Sequence, residues 1–147
     1  MKKVYMILVL ALFACKSGGE VVVAQQKEPL LHYSKGPCLG RCPVYDFWIY
    51  PDGNFTFKKT KGLKANGEIK GMLTTEEMKN LKTVLENKLG EPGIFTRVRD
   101  LPISKLRYAG KKYEYHANKT EAGLKEVNTL MENIVERVVS GKYNITS

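Results

Sequence analysis

The chain has 147 residues, and its 24 lysines and arginines against 15 aspartates and glutamates give a formal net charge of +9. This length argues for one domain with a real core, and 27% charged with 43% apolar residues excludes a disordered tail or a collagen-like chain. No apolar run reaches the roughly 20 residues of a membrane-spanning helix. The basic charge makes nucleic-acid binding the first function class to test.

The first fourteen residues have the pattern of a bacterial lipoprotein signal peptide. A Met-Lys-Lys start is followed by an unbroken apolar run from Val4 to Ala14, and Cys15 comes next. The Leu-Phe-Ala-Cys sequence at residues 12–15 resembles the lipobox, in which the cysteine becomes the lipidated first residue of the mature chain. An ordinary signal peptide cleaved nearby and a buried N-terminal strand are the alternatives. We expect cleavage after residue 14 and a fatty acid such as palmitate on Cys15, which anchors the protein to a membrane.

Such a signal has consequences for charge and compartment. Loss of Lys2 and Lys3 with the signal lowers the net charge from +9 to +7. The expected location is the cell envelope of a Gram-negative bacterium, at the outer membrane, facing the periplasm or the surface. This compartment is oxidising and excludes genomic DNA, so nucleic acid is not an expected partner. Residues 15–29 are expected to be the lipidated cysteine and a flexible tether, with a short strand at Val21–Val23 as the alternative, and residues 30–147 a single domain.

The domain begins with stretches that have strand composition. Leu30–Ser34 predicts a first strand, and Val44–Tyr50 is dense in β-branched and aromatic residues. Pro-Asp-Gly at residues 51–53 predicts a turn, after which Asn54–Thr60 returns as the second arm of a hairpin. Glu68–Leu73 is a candidate for a third short strand.

Two amphipathic helices alternate with a second hairpin. Thr-Thr-Glu-Glu at residues 74–77 fits a capping box that starts the first helix. Ile103–Tyr108 and Lys112–His116 predict the second hairpin, and Asn118 with Glu121 is expected to cap the second helix. The predicted order is β-β-β-α-β-β-α, which gives an α+β fold with a mainly antiparallel sheet and both helices packed on one face. The apolar stripes of the helices are Met78, Leu81, Val84, Leu85 and Leu89, and Leu124, Val127, Met131, Ile134 and Val138.

Cys38 and Cys42 lie in a loop that has proline on both sides. In the envelope the expected state of two cysteines this close is a disulfide, worth about 2 kcal/mol, that fixes the start of the strand at Val44. The Cys-x-x-x-Cys-Pro spacing is also similar to the copper site of Sco-type assembly proteins, in which a distant histidine completes the metal site. In this alternative, the histidine that completes the copper site in this chain is His116 or His32. The third interpretation is a redox-active dithiol, although no helix follows the second cysteine to lower a thiol pKa.

The same loop carries a family resemblance. The sequence Gly-Pro-Cys-Leu-Gly-Arg-Cys-Pro-Val-Tyr at residues 36–45, followed by Ile-Tyr-x-Asp-Gly at residues 49–53, resembles the signature of the domain-of-unknown-function family DUF6438 of bacterial envelope lipoproteins. Gly67-x-x-x-Gly71 and the Asp-Leu-Pro at residues 100–102 extend the resemblance across Leu30–Val139. It implies the extent of the domain and its compartment, and it implies no activity.

No catalytic constellation is visible. The chain has two histidines, His32 and His116, and no Gly-x-Ser-x-Gly, Ser-x-x-Lys, His-Glu-x-x-His or glycine-rich phosphate loop. We therefore expect a protein that is not an enzyme and has no cofactor and no resident metal. A metal site at Cys38, Cys42 and His116 belongs to the copper alternative alone.

The charge distribution gives the leading functional hypothesis. The basic excess falls in the strand-and-loop half of the chain, where it indicates either a solvated sheet face or a surface for an anionic partner. Trp48 and Tyr50 alternate with core residues and either lie under the tether or form a contact surface. We expect a non-enzymatic binding or structural module whose partner is an anionic envelope polymer, a lipid head group or an envelope protein. The candidate residues are Lys58, Lys59, Lys61, Arg97, Arg99, Arg107, Lys111 and Lys112.

Overall fold

The computed structural model describes residues 27–63 and 67–143. The signal peptide, Cys15 and the tether up to residue 26 lie outside this part, as does the alternative strand at Val21–Val23. Within it the chain forms the predicted α+β architecture, with six strands and two α-helices. The elements are β1 Leu31–Lys35, β2 Val44–Ile49, β3 Asn54–Lys61, β4 Glu68–Met72, α1 Thr75–Asn87, β5 Ser104–Tyr108, β6 Lys111–Tyr115 and α2 Ala122–Val139.

The strands form one sheet in the order β4-β3-β2-β1-β5-β6, and every neighbouring pair is antiparallel. The order contains one strand more than predicted, because β4 pairs with β3 from Asn54↔Met72 to Lys58↔Glu68. This pairing places Ile69 opposite Phe57, so that β4 extends the apolar face of the sheet. β1 lies inside the sheet between β2 and β5, although it is the first strand of the domain.

Local signals fix the first turn and the first helix as predicted. Gly53 has φ +86°, which an L side chain rarely adopts, and the Asp52 carboxylate accepts the Asn54 N–H at 3.1 Å. At the start of α1, the Thr74 hydroxyl oxygen accepts the Glu77 N–H at 3.2 Å, and the Glu77 carboxylate accepts the Thr74 N–H at 3.0 Å. These reciprocal bonds confirm the capping box.

The predicted cap of the second helix is wrong. Asn118 lies in a short 3₁₀ turn at Ala117–Lys119, and Thr120 is extended with φ −115°. These residues separate Asn118 from α2, whose N-cap position is Glu121 without a side-chain capping bond. The pairing of Asn118 with Glu121 had the spacing of a capping box, but the chain makes an additional turn between them.

One face of the sheet packs against both helices and forms the core. Along β2, Tyr45, Phe47 and Ile49 are buried and alternate with more exposed residues. Phe47 stacks on Phe55 with ring centroids 5.2 Å apart, and truncation of a phenylalanine this deeply buried costs about 3–5 kcal/mol. The helices contribute their predicted stripes, of which Met78, Leu81, Val84, Leu85, Val127, Met131, Ile134 and Val138 are buried, and Leu89 and Leu124 are partly buried.

The core also contains a polar cluster that no local sequence pattern indicates. The hydroxyls of Tyr33 and Tyr115 both donate to the side-chain oxygen of the buried Asn128, at 2.9 Å and 3.3 Å. Burial raises the pKa of Tyr33 to about 12 and also raises the pKa values of Tyr45 and Tyr115. These phenols are held neutral because their environment disfavours the charged form.

Candidate functional site

The face of the sheet opposite the helices, hereafter the open face, carries the candidate site. Because side chains alternate along a strand, burial of Leu31 and Tyr33 directs His32 to the open face. Register then arranges the open-face residues in two rows that cross all six strands. The first row is Lys70, Thr56, Trp48, His32, Arg107 and Lys112, and the second is Glu68, Lys58, Asp46, Ser34, Lys105 and Glu114.

An aromatic stack lies at the centre of the first row. The rings of His32 and Trp48 are parallel within 3°, and their centroids are 4.9 Å apart. His32 Nε2 is 2.8 Å from Asp46 Oδ1 in the second row, which orients the imidazole. Both side chains of this pair are partly exposed, at 19% for His32 and 38% for Asp46. The open face therefore has a fixed aromatic and imidazole centre rather than a set of independent surface side chains.

Charges on the open face are distributed unevenly between the rows. Lys70 is 3.0 Å from Glu68, and Lys105 is 3.1 Å from Glu114. These exposed pairs contribute little to stability but neutralise their local charge. In contrast, Arg107 lies within 4.0 Å of no carboxylate in residues 27–63 and 67–143, and the same holds for Lys112. The first row therefore ends in two uncompensated positive charges at opposing positions of β5 and β6.

Two clefts flank Trp48 on the open face. The larger, of about 730 Å³, includes Tyr50, Asp52 and Asn54 in its lining. The smaller, of about 310 Å³, is bounded by His32, Arg107 and Lys112. Both volumes lie within the range of small-ligand sites. Trp48 and Pro29 line both clefts, so the ring and the start of the domain separate them.

The segment Lys27–Leu30 lies against the open face rather than extending from the domain. Lys27 Nζ is 2.8 Å from a carboxylate oxygen of Asp52, in the turn between β2 and β3. Hydrogen bonds from Lys27 and Asn54 lower the pKa of Asp52 to about 2. The sequence left two alternatives for Trp48 and Tyr50, a covered surface or a contact surface. In the structure each alternative holds in part. The segment Lys27–Leu30 borders Trp48 and so covers part of the surface, but a cleft remains open on each side of the ring.

The predicted basic residues do not form one surface. Lys58 lies in the second row of the open face, while Lys59 is opposite the buried Tyr45, and the register shifts before the pair of Lys61 with Val44. Lys111 also lines the smaller cleft, but it pairs with Glu91, which raises the pKa of Lys111. The exposed Arg97 and Arg99 belong to the loop between α1 and β5. Of the eight candidates, Arg107 and Lys112 are the two that border the cleft beside the aromatic stack without a carboxylate partner.

Cys38 and Cys42 form a disulfide with Cα atoms 5.7 Å apart. The bond closes the loop before β2, and the Gly40 N–H points to Cys38 Sγ at 3.2 Å. The Gly36 N–H donates to the Ile103 carbonyl at 2.8 Å, which attaches the start of this loop to the chain just before β5. The residues after the second cysteine form a strand, as predicted, and this differs from the helix of a thioredoxin-like copper or redox site.

His116 has a structural role in the described chain. It is 4% exposed, and its Nε2 accepts the Val98 N–H at 2.9 Å. Its Nδ1 donates to the Pro102 carbonyl, also at 2.9 Å, so that the imidazole holds both ends of the segment before β5. Among residues 27–63 and 67–143, no group of three or more His, Cys, Asp or Glu side chains is placed to hold a metal ion. The structure does not bring His116 together with Cys38 and Cys42.

A thiol measurement separates the disulfide from the redox and copper alternatives. In the folded protein, purified without a reducing agent, we expect Cys38 and Cys42 to be unreactive to a thiol reagent. The double variant Cys38→Ser with Cys42→Ser should lose about 2 kcal/mol of the free energy of unfolding, because it opens a small loop. Copper binding is measured on wild type before and after reduction, with the double variant as control. Tight copper binding that requires both cysteines would refute the structural assignment.

These features define a class of protein: an α+β domain with an antiparallel six-stranded sheet, helices on one face and a surface with two clefts on the other. None of the helices in the described ranges has the length and apolar character needed to cross a bilayer. A profile described as "Domain of unknown function (DUF6438)" matches residues 29–138, and the chain belongs to this family. No curated protein matches the chain.

Proposed function

We propose that the protein is a non-enzymatic binding module of the Gram-negative cell envelope, anchored to the outer membrane by a lipid on Cys15. In this proposal the open face binds an anionic partner of the envelope. The observation that carries it is the pair of cations without carboxylate partners, Arg107 and Lys112, beside the stacked rings of His32 and Trp48. A fixed aromatic group next to unpaired cations is typical of surfaces that bind rather than surfaces that are only solvated.

The placement of the domain's first residues limits how far the open face can lie from an anchor on Cys15. Lys27 is fixed to Asp52 at the edge of the open face, where the larger cleft also lies. The stretch between Cys15 and Lys27 spans at most roughly 40 Å when fully extended. An anchor on Cys15 therefore keeps the open face within that distance of the membrane.

Substitution of the lipidation residue tests the anchor. The variant Cys15→Ala is expected to move from the membrane fraction to the soluble envelope fraction, because it removes the atom that carries the lipid. The double variant Cys38→Ser with Cys42→Ser is the matched control, since it changes cysteines and leaves Cys15 in place. Fractionation of Cys15→Ala that matches wild type would refute anchoring at this residue.

Retention of envelope material tests the binding surface. Immobilised wild-type protein is expected to retain an anionic component of an envelope extract, and moderate salt should release it because exposed charges are screened. The variant Trp48→Ala should retain less, while Ile94→Ala, at a fully exposed apolar residue of the loop before β5, should retain as much as wild type. Equal retention by wild type and Trp48→Ala would contradict the assignment of the open face.

A further inference from the structure

The smaller cleft on the open face, hereafter the Arg107 cleft, has the features of an anion site. It is bounded by His32, Trp48, Arg107 and Lys112, with Pro29 and Leu30 as apolar lining, and its volume is about 310 Å³. This volume suits a small group such as a substituted phosphate rather than an extended ligand. The bounding residues are carried by strands of one sheet, so their relative positions are fixed by backbone pairing.

The charge of the cleft is concentrated at one end. Arg107 and Lys112 are cross-strand partners, so their side chains emerge roughly 5 Å apart. A guanidinium offers a planar fork of N–H donors and an ammonium offers a compact point charge. A carboxylate is satisfied by the arginine fork alone, whereas a phosphate has enough oxygens and charge to engage both groups.

The residues at the other end of the cleft favour a particular kind of organic group attached to the anion. His32 is the cross-strand partner of Arg107 on β1, and its Nε2 is already bonded to Asp46. This leaves Nδ1 without a hydrogen-bond partner among residues 27–63 and 67–143. Trp48, Pro29 and Leu30 give an apolar wall, against which the carbon backbone of a ligand packs. The arrangement therefore suits a phosphate ester with a short organic backbone better than inorganic phosphate.

We propose that the Arg107 cleft binds the phosphate group of a glycerol phosphate ester, with Arg107 and Lys112 on the phosphate oxygens and Trp48 against the backbone. This rests on the proposed function of the open face and names the chemical class of its partner. The same chemistry occurs in the head group of an anionic phospholipid and in a soluble phosphate ester. Binding of a soluble ester and binding to lipid vesicles distinguish these two sources.

The first arm of the test is a calorimetric titration of the full-length protein with glycerol 1-phosphate. The double variant Arg107→Gln with Lys112→Gln is expected to bind roughly tenfold or more weakly, because it removes charge-assisted hydrogen bonds to the phosphate. The control is Lys79→Gln with Lys125→Gln, which removes the same charge from exposed positions on α1 and α2. The control should bind as wild type does, and thermal unfolding of both variants verifies that they fold.

The second arm measures co-sedimentation of the same proteins with vesicles of phosphatidylglycerol and of phosphatidylcholine. Preference for phosphatidylglycerol that is lost in the Arg107/Lys112 variant supports the lipid head group as the source. Binding of glycerol 1-phosphate without this preference supports a soluble or polymeric ester. Absence of Arg107/Lys112-dependent binding in both arms, or equal weakening by the control variant, would overturn the proposal. Persistent retention of envelope material in that case would leave the proposed function standing with a different ligand.

Discussion

The free energy of unfolding is expected to fall steeply above pH 10, because three buried tyrosines must ionise. Burial raises the pKa of Tyr33 from 10.0 to about 12 and raises those of Tyr45 and Tyr115 in the same direction. In the unfolded chain these phenols ionise near pH 10. The neutral phenols therefore stabilise the fold fully below pH 10, and this contribution is lost as the pH rises toward the folded-state values.

The expected loss is large enough to unfold the protein. Each tyrosine contributes up to about 1.4 kcal/mol per pH unit in this interval, so three contribute roughly 4 kcal/mol per pH unit. A domain whose stability lies at the lower end of the usual range, about 5 kcal/mol, should then unfold slightly above pH 11, and a more stable domain at a higher pH. Circular dichroism against pH measures the unfolding, and the ultraviolet absorbance of ionised tyrosine should rise in the same interval.

The variant Tyr33→Phe tests whether ionisation of buried tyrosines causes the alkaline unfolding. It removes one ionisable group and leaves Asn128 with its hydrogen bond from Tyr115. We expect a cost of about 1 kcal/mol at neutral pH and a slope between pH 10 and pH 12 that is shallower by up to about 1.4 kcal/mol per pH unit. An unchanged slope would show that alkaline unfolding has another origin.

The second large effect is expected from Gly123→Ala. Gly123 is buried at the start of α2, where a Cβ atom would lie 2.0 Å from the carbonyl oxygen of Lys88. That oxygen belongs to backbone at the C-terminal end of α1, so one helix must move away from the other. Overpacking of this kind typically costs about 1–3 kcal/mol and sometimes more, and it should outweigh the gain of about 1 kcal/mol in helix propensity.

Thermal unfolding checks the expectation for Gly123. We expect a midpoint lower by several degrees, on the order of 10 °C for a loss near 3 kcal/mol. Gly90→Ala is the matched control, because nothing lies within 4 Å of a Cβ atom there and its effect should stay within about 1 kcal/mol. If both variants unfold at the same temperature, the close approach of the two helices does not constrain the fold.

Local patterns predicted the elements well, because each depends on a few neighbouring residues. Alternation along Val44–Tyr50 and the capping box at Thr74 are such patterns, and the structure confirms both. The α2 cap was predicted wrongly, since the spacing of Asn118 and Glu121 does not reveal the 3₁₀ turn between them. Local spacing identifies a motif but does not show whether the chain remains regular within it.

The candidate site was predicted only in fragments, because it depends on pairing between distant strands. In the sequence, His32 is a candidate metal ligand, Trp48 is a candidate aromatic contact and Arg107 is one of many cations. Their common row exists because β1 pairs with both β2 and β5, and no local pattern indicates that pairing. Asn128 was missed for a similar reason: it lies beside the apolar stripe of α2, and its partners come from β1 and β6.

The interior position of β1 also means that its two partner strands are synthesised at different times. Its neighbour β2 follows within a few residues, but β5 is made only after α1 and the long loop that follows it. A chain emerging N-terminus first can therefore form the β4-β3-β2-β1 half of the sheet early, and β1 then remains an unpaired edge. Such an edge is a template for wrong pairing with other chains until the β5–β6 hairpin arrives and covers it. Slow delivery of the second hairpin should therefore promote aggregation, and a chaperone that shields β1 in that interval should prevent it.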